Sequence, residues 1–441
     1  MASLSDRWSS LWSPKTGFGA IINGLFTTIL VTGVGLVTGM ITARTLGPGG
    51  RGELTAIIMW PGFLAYMFTF GLPSSLLYTL KRTPERESEL VGAALVMGLT
   101  GSGVAVLAGV FGIPFWLHSY SDVVIHEAQW LMVLAPEGLM SLLLMSNLQA
   151  RSAFGHFNRL RFLQPIITLV VLLILLAGQW LNPYTAALAY LLAVLPSFFW
   201  QLEWVRKTIK PRLNELRTSS RILISYGLRA WGTDLLGSLG NQVDRVLVVA
   251  LLSPSDMGLY IVAQGVARLI NIIPNSVTPV LMPKAAERSL DGVIKLAGHA
   301  ARVALISMVL FSMPLLLFAS HLIEWVYGTE FVAATYVFQL LVVESVLSGV
   351  VSILAQSFLA MGRPGILTIV EGCGLAATVL LLAFLVPRLG LIGAGIALLC
   401  SMLIRLTFIV ASFPLVLKKS PPSLWPRWDD VLSFWIQIRR Q

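Results

Sequence analysis

Long apolar runs, separated by short polar segments, recur along the whole chain. Each run holds roughly twenty residues, enough for a helix to cross about 30 Å of hydrocarbon. Twelve such runs predict an all-α polytopic membrane protein with twelve transmembrane helices. The predicted spans 1 to 12 are residues 19–43, 54–79, 90–117, 128–150, 162–180, 184–205, 226–252, 257–282, 296–327, 331–361, 365–387 and 391–415.

The longest polar segment divides these spans into two groups of six. It covers residues 206–221 and reads RKTIKPRLNELRTSSR. We therefore expect an N-terminal six-helix bundle at 1–205, a basic cytoplasmic linker at 206–221 and a C-terminal six-helix bundle at 222–415. Residues 416–441 form a predicted cytoplasmic tail, whose end has the pattern of an amphipathic helix lying on the membrane surface.

One short motif occurs at the same place in both halves. The turn after span 1 reads LGPGGRGEL and the turn after span 7 reads LSPSDMGLY. Both fit L-x-P-x-x-x-G and end at Gly52 and Gly258, and proline and glycine suit a helix end with a tight return. The match indicates a duplication. Two halves of equal orientation predict pseudo-two-fold symmetry about an axis along the membrane normal.

Basic residues lie mostly on one side of the predicted spans. With the N-terminus in the cytoplasm, 23 of the 31 Lys and Arg residues fall in cytoplasmic segments. Three fall on the opposite side of the membrane, and the remaining five lie within spans. This positive-inside bias supports an even span count with both termini cytoplasmic. It also explains the net charge of +10 without any binding of nucleic acid.

Cysteine and histidine usage points away from metal or redox chemistry. Cys373 and Cys400 both fall within predicted spans, and the five histidines are scattered along the chain. We therefore expect no disulfide framework, no metal site and no bound cofactor. The outer loops are also too short for an external catalytic domain, so we do not expect an enzyme.

Two neighbouring spans of the second half each carry a polar stripe. Both stripes follow a spacing of four, three and four residues, which keeps them on one helical face. A charge that faces lipid costs several kcal/mol, so we expect the stripes to face a shared aqueous cavity or each other. The stripe of span 7 is Asp234, Ser238, Asn241 and Arg245, with Asp244 to one side, and that of span 8 is Gln264, Arg268, Asn271 and Asn275.

Other ionisable residues inside spans allow a simpler interpretation. Arg229, Arg302 and Arg405 lie close enough to the cytoplasmic boundary to extend their side chains to the interface. Arg245 could pair with a neighbouring helix for packing alone, whereas Arg268 is near mid-span and is the hardest to explain without a cavity. The acids at depth include Glu137, Glu344 in span 10 with Ser348 and Ser352, and Glu371 in span 11; the first half is much less polar.

Two segments resemble a known family. Residues 242–269, QVDRVLVVALLSPSDMGLYIVAQGVARL, are similar to the start of the second half in the polysaccharide-transporter branch of the multidrug/oligosaccharidyl-lipid/polysaccharide (MOP) exporter superfamily. The shared features are the pair Asp244 and Arg245, an apolar run, and Gly-Leu-Tyr at 258–260. Residues 43–57, ARTLGPGGRGELTAI, resemble the matching first-half turn. The resemblance covers nearly the whole chain.

The resemblance implies a flippase. Such proteins move polyprenyl-pyrophosphate-linked oligosaccharide across the bacterial inner membrane by alternating access, for O-antigen, capsule or exopolysaccharide, and a polysaccharide polymerase and its assembly complex are further expected partners. Arginines in the lumen often hold the pyrophosphate. Asp234, Asp244 and Glu344 are candidates for loading a coupling H⁺ or Na⁺. The candidate cavity residues are Arg245, Arg268, Asn241, Gln264, Asn271, Asn275 and Arg405.

Three alternatives stay open. A cation-coupled multidrug exporter of the same superfamily would need an acidic cavity, where Arg245 and Arg268 would repel cationic drugs. A polymerase or lipid-sugar transferase would need larger outer loops. A non-transporting scaffold of polysaccharide assembly differs from a flippase only in a transport assay. The first span has no arginine, which departs from the pattern of lipid II flippases.

Overall fold

The computed structural model describes residues 17–151, 154–286 and 288–425, and these ranges are helical with no β-strand. The predicted tail helix lies outside the described residues. Short 3₁₀ helices occur at Pro84–Arg86, Met132–Leu134, Arg268–Asn271 and Thr329–Ala334. The α-helices are Gly17–Met67, Leu72–Arg82, Glu87–Trp116, Asp122–Leu131, Ala135–Ala150, Phe154–Ala177, Pro183–Leu192, Leu195–Thr208, Leu216–Leu251, Pro254–Ala267, Ile272–Ala286, Leu290–Leu317, Ala319–Tyr327, Thr335–Ala360 and Pro364–Leu417.

The two longest helices are each a pair of helices joined at a kink. The kinks fall at Gly47, with φ 66°, and at Gly390, with φ 55°. Glycine reaches this left-handed region without a Cβ penalty, so the chain can turn back between spans 1 and 2 and between spans 11 and 12.

The twelve predicted spans are present as helices. Eight helical stretches are long and apolar enough to cross a membrane, and two of these are the kinked pairs. They contain ten of the predicted spans, and Phe154–Ala177 and Leu216–Leu251 supply spans 5 and 7. The predicted fold class, an all-α polytopic membrane protein with twelve helices, is confirmed.

The chain forms two compact units whose boundary lies inside span 7. The first unit runs to Ser238 and includes Ser253–Gly258, and the second comprises Leu239–Leu252 and the chain from Leu259. The predicted boundaries at 206–221 therefore do not coincide with the compact units. The reason is that the beginning of the Leu216–Leu251 helix packs within the first unit.

Polar and aromatic contacts make that packing specific. Ser75 Oγ donates a hydrogen bond of 2.8 Å to the carbonyl oxygen of Leu223. Close by, the rings of Tyr78 and Tyr226 stack with their centroids 4.1 Å apart. A Cβ on Gly71 would overlap the carbonyl oxygen of Gly227, so glycine is required for this close approach. The beginning of span 7 is thus anchored to the Leu72–Arg82 helix rather than to the rest of its own half.

Apolar packing holds each unit together. In the first unit, Leu76, Leu90 and Leu139 belong to one buried cluster that joins spans 2, 3 and 4. In the second unit, the Phe358 and Phe413 rings meet with centroids 4.8 Å apart, tying span 10 to span 12. Between membrane helices such contacts stabilise through van der Waals packing, and the Phe358–Phe413 contact holds two of the spans that carry the polar groups described next.

A polar cavity in the second unit

A cavity of about 310 Å³ lies inside the second unit. Spans 7, 8, 10, 11 and 12 all contribute to its wall, and hydroxyl, amide and charged side chains make up most of the residues on it. The polar lining residues are Asp244, Gln264, Arg268, Asn271, Asn275, Glu344, Ser345, Ser348, Ser352, Thr378, Ser401 and Arg405.

Span 8 places its whole predicted stripe on this wall. Gln264, Arg268, Asn271 and Asn275 all line the cavity. The α-helix changes to a 3₁₀ helix over Arg268–Asn271 before it resumes at Ile272. A 3₁₀ segment in the middle of a helix marks a local change of twist and often a functional hinge. Span 8 is therefore interrupted at the level of its arginine.

Asp244 sits in a hydrogen-bonded network at the edge of the cavity. Tyr260 Oη donates to Asp244 Oδ2 at 3.0 Å, and Gln264 Nε2 donates to the same oxygen at 2.7 Å. Asp244 is only 8% exposed, and Tyr260 is fully buried. A buried carboxylate requires such donors, because an unsatisfied charge in a low-dielectric interior is costly. Among the described residues, Asp244 Oδ1 has no hydrogen-bond partner.

Arg268 is the more accessible of the two cavity arginines. Its Nη2 lies 3.7 Å from Asp244 Oδ2, beyond the distance of a good hydrogen bond, and 41% of its side chain is exposed. The pair is therefore a loose ion pair, and Arg268 stays partly exposed on the cavity wall.

Arg245 has a different position from the one predicted. Its Nε donates to Gln264 Oε1 at 2.7 Å, and it is not among the cavity-lining residues that the structure describes. Successive residues on an α-helix point about 100° apart, so Asp244 and Arg245 meet different neighbours. Asp244 takes the inward position. Arg245 lies behind the wall, where it orients the amide of Gln264.

Arg405 lies inside the cavity wall instead of extending to the interface. It is 8% exposed, and its Nη1 donates to Glu371 Oε2 at 2.8 Å. The interfacial alternative is therefore wrong for Arg405. Arg302 does reach outward, because its Nη1 donates to the carbonyl oxygen of Ser423 at 2.9 Å, and Arg229 is exposed.

Several cavity-lining positions were not found from the sequence. Thr378 and Ser401 line the cavity, and their hydroxyl oxygens lie 2.5 Å apart. A polar face was visible in span 11, where Glu371 and Thr378 are seven residues apart, but nothing showed that it meets span 12. The side chains of Asp234 and Asn241 lie outside the described residues. Within the described ranges, no three His, Cys, Asp or Glu side chains come together to hold a metal ion.

The first unit contains a cavity of different character. It has a volume of about 420 Å³, and its polar lining consists of hydroxyl and amide groups such as Thr38, Gln164 and Gln201. No ionisable side chain other than Tyr190 lines it among the described residues. Of these two cavities, the one in the second unit has the charged lining, in agreement with the asymmetry expected from the sequence.

Twelve helices, kinked glycine turns and a charged cavity buried among spans define a polytopic membrane protein of the transporter class. Residues 20–289 match the polysaccharide biosynthesis protein family, which is more than half of the chain. The chain belongs to this family, within the MOP superfamily. The resemblance stated from the sequence is therefore confirmed.

The relatives that the chain resembles are flippases and transporters. It is 21% identical over 371 residues to Agl15 of Haloferax volcanii, a probable low-salt glycan biosynthesis flippase, covering 80% of this chain and 74% of that protein. The lipid II flippase MurJ, in an inward closed conformation, has a TM-score of 0.77 at 15% identity and covers 93% of this chain and 89% of its own. An inward-facing MATE family multidrug resistance transporter has a TM-score of 0.67 at 15% identity, covering 88% of this chain and 96% of its own. The structural likenesses show a common fold.

Proposed function

We propose that this protein is a flippase that moves polyprenyl-pyrophosphate-linked oligosaccharide across a membrane by alternating access. The observation that carries the proposal is the cavity of the second unit, where Arg268 and Arg405 stand among amides and hydroxyls. A pyrophosphate crossing a low-dielectric layer needs fixed cations, and the guanidinium fork matches phosphate oxygens with paired hydrogen bonds.

The neutral polar groups suit the sugar next to the pyrophosphate. Asn271 and Asn275 offer amide donors and acceptors, and Ser348 and Ser352 add hydroxyls on the facing span. Such groups exchange hydrogen bonds with sugar hydroxyls without net charge. At about 310 Å³ the cavity has room for the pyrophosphate and a neighbouring sugar, and the lipid chain would stay in the bilayer.

The relatives support this cargo. The family is named for polysaccharide biosynthesis, Agl15 is named a glycan biosynthesis flippase, and MurJ is a lipid II flippase. We propose the bacterial inner membrane as the location, with both termini cytoplasmic, since 23 of 31 basic residues then lie inside. The polymer would be O-antigen, capsule or exopolysaccharide, and a polymerase complex would receive the flipped unit.

The second candidate is export of cationic drugs, favoured by the MATE-like fold. The cavity contains two acids, Asp244 and Glu344, against its two arginines. The acid Asp244 is already engaged by Tyr260 and Gln264, whereas 41% of the Arg268 side chain is exposed. Two arginines against two acids leave no net negative charge to attract a cation, which disfavours a cationic cargo.

Complementation tests the proposal. A bacterial strain that lacks its oligosaccharide flippase receives the wild type, Arg268→Ala or Arg405→Ala, and surface polysaccharide is measured at matched membrane levels. Arg388→Ala is the control, because Arg388 is exposed and lies over the Phe384 ring, away from the cavity. We expect wild type and Arg388→Ala to restore polymer and the two cavity variants to fail. Restoration by both cavity variants, or resistance to cationic drugs without polymer, would contradict the proposal.

A further inference from the structure

Arg405 is held by an unusual combination of contacts from span 11. Glu371 accepts from Nη1 at 2.8 Å, and Gly374, one turn further along, lies directly against the side chain. A Cβ on Gly374 would overlap both Nε and Cγ of Arg405, so any residue larger than glycine would displace the arginine. The stem of Arg405 thus crosses span 11 at a position without a side chain.

The backbone at Gly374 is itself fixed. Thr378 Oγ1 donates to the Gly374 carbonyl oxygen at 2.9 Å, and Ser401 Oγ donates to the same oxygen at 3.1 Å. Ser401 lies one turn before Arg405 on span 12, so this shared carbonyl keeps the two spans close where the arginine crosses. The contact is buried, since Thr378 and Ser401 are 4% and 2% exposed.

These contacts leave the guanidinium incompletely satisfied. Arg405 Nε has no hydrogen-bond partner within the described residues, although it is buried. Glu371 binds a single nitrogen, and 38% of the glutamate side chain is exposed. Nε is enclosed against Gly374, so an anion in the cavity can meet only the terminal nitrogens of the guanidinium. The arrangement fixes the cation in the cavity wall without neutralising all its donors.

We propose that Glu371 and Gly374 position Arg405 as an anchor for the phosphate groups of the cargo. The proposal rests on the proposed function and assigns the two residues a role in it. Glu371 and Gly374 do not touch the cargo. They act by stopping Arg405 from extending along span 12 towards the interface, where its length would otherwise allow it to reach.

The positioning role and a purely electrostatic role predict opposite changes in anion affinity for the Glu371→Ala variant. Glu371→Ala removes a negative charge next to the anion site, so electrostatics alone predicts tighter binding of an anion. Positioning predicts weaker binding, because Arg405 loses the group that holds Nη1. Glu371→Gln removes the same charge but keeps an oxygen that accepts from Nη1. If Glu371 positions Arg405, the Glu371→Gln variant should therefore keep most of the anion affinity of the wild type.

The test is binding of inorganic pyrophosphate to the purified full chain in nanodiscs. We expect Glu371→Ala and Gly374→Ala to weaken binding about tenfold or more, as for loss of one charge-assisted hydrogen bond, and Glu371→Gln to stay within about threefold of wild type. Gly372→Ala is the matched control, because a Cβ on Gly372 meets nothing within 4 Å, and it should bind as wild type does. In an Arg405→Ala background, Glu371→Ala should cause no further loss.

Several results of these binding measurements would overturn the positioning role. Equal binding by Gly374→Ala and Gly372→Ala, or tighter binding by Glu371→Ala, would overturn the positioning role. Further weakening by Glu371→Ala after Arg405 is removed would also overturn it, since the glutamate would then act independently. If the wild type itself does not bind pyrophosphate, the proposed function fails, and the inference fails with it.

Discussion

Gly52 and Gly258 lie against each other in a reciprocal contact. A Cβ on Gly52 would overlap the carbonyl oxygen of Pro254, and a Cβ on Gly258 would overlap that of Pro48. Each added Cβ would also lie 3.1 Å from the backbone nitrogen of the other glycine. Both turns belong to the first compact unit, because Ser253–Gly258 is part of it. The repeated motif L-x-P-x-x-x-G is therefore also a structural pair, as expected for two positions related by a two-fold axis.

This contact predicts that both glycines are essential to stability. Gly52→Ala or Gly258→Ala adds a methyl group that overlaps backbone atoms. Backbone atoms cannot move aside as the end of a flexible side chain can. We expect each to destabilise the protein by about 2 kcal/mol or more, as overpacking does. Thermal unfolding in detergent measures the change. The matched control is Gly49→Ala in the same turn, where a Cβ meets nothing within 4 Å. Equal stability of the three variants would contradict the contact.

Tyr260 should matter for stability through its hydrogen bonds with Asp244 and Gln264. Tyr260→Phe removes a donor from the buried Asp244 carboxylate and an acceptor from Gln264 Nε2, and it leaves the ring packing unchanged. We expect a loss of about 1 to 3 kcal/mol in the free energy of unfolding, the usual penalty for an unsatisfied buried group. Tyr336→Phe is the control, since Tyr336 is 70% exposed. In an Asp244→Asn background the cost of Tyr260→Phe should shrink; an undiminished cost would show that the two residues do not interact.

Arg245 and Arg268 should differ in their effect on anion binding. Arg268 faces the cavity, whereas Arg245 acts through Gln264. We expect Arg268→Ala to weaken pyrophosphate binding about tenfold or more and Arg245→Ala to weaken it by less than about threefold, because only the first removes a direct charge-assisted contact. Isothermal titration with both variants measures this. A larger effect at Arg245 would mean that the cargo path lies on the other side of span 7.

Ion coupling provides a further prediction. Asp244 and Glu344 line the cavity, and Asp234 is the third acid proposed to load H⁺ or Na⁺. Neutralising all three as Asn, Asn and Gln should make transport insensitive to an imposed H⁺ or Na⁺ gradient, because the three proposed carriers of the ion are then gone. Transport rates in proteoliposomes with and without a gradient measure this. Gradient-driven transport that survives the triple substitution would exclude these acids as the coupling site.

The features that could be predicted from the sequence are those that depend on periodicity within one helix. Hydropathy located the twelve spans, and the helical spacing of Gln264, Arg268, Asn271 and Asn275 placed span 8 on the cavity. The choice between Asp244 and Arg245 was not predictable, because adjacent residues differ only by a helix rotation that tertiary packing decides. The repeat at Gly52 and Gly258 was visible in the sequence, but its contact was not.

Relations between distant segments could not be predicted. Glu371 and Arg405 are separated by a helical return at Gly390, and only the packing of span 11 on span 12 brings them together. The boundary of the compact units inside span 7 has the same origin, since it follows from contacts such as Ser75 with Leu223, 148 residues apart. Periodicity within one helix contains no information about such pairs.

The most direct test of the central claim is flipping itself. Purified protein is reconstituted in liposomes with a fluorescent polyprenyl-pyrophosphate disaccharide, and the fraction reached by an external sugar-oxidising reagent is followed over time. We predict that the wild type and Arg388→Ala equilibrate the lipid across the bilayer, and that the Arg268→Ala, Arg405→Ala double variant does not exceed empty liposomes. Equal flipping by the double variant, or none by the wild type, would contradict a cavity that carries the pyrophosphate.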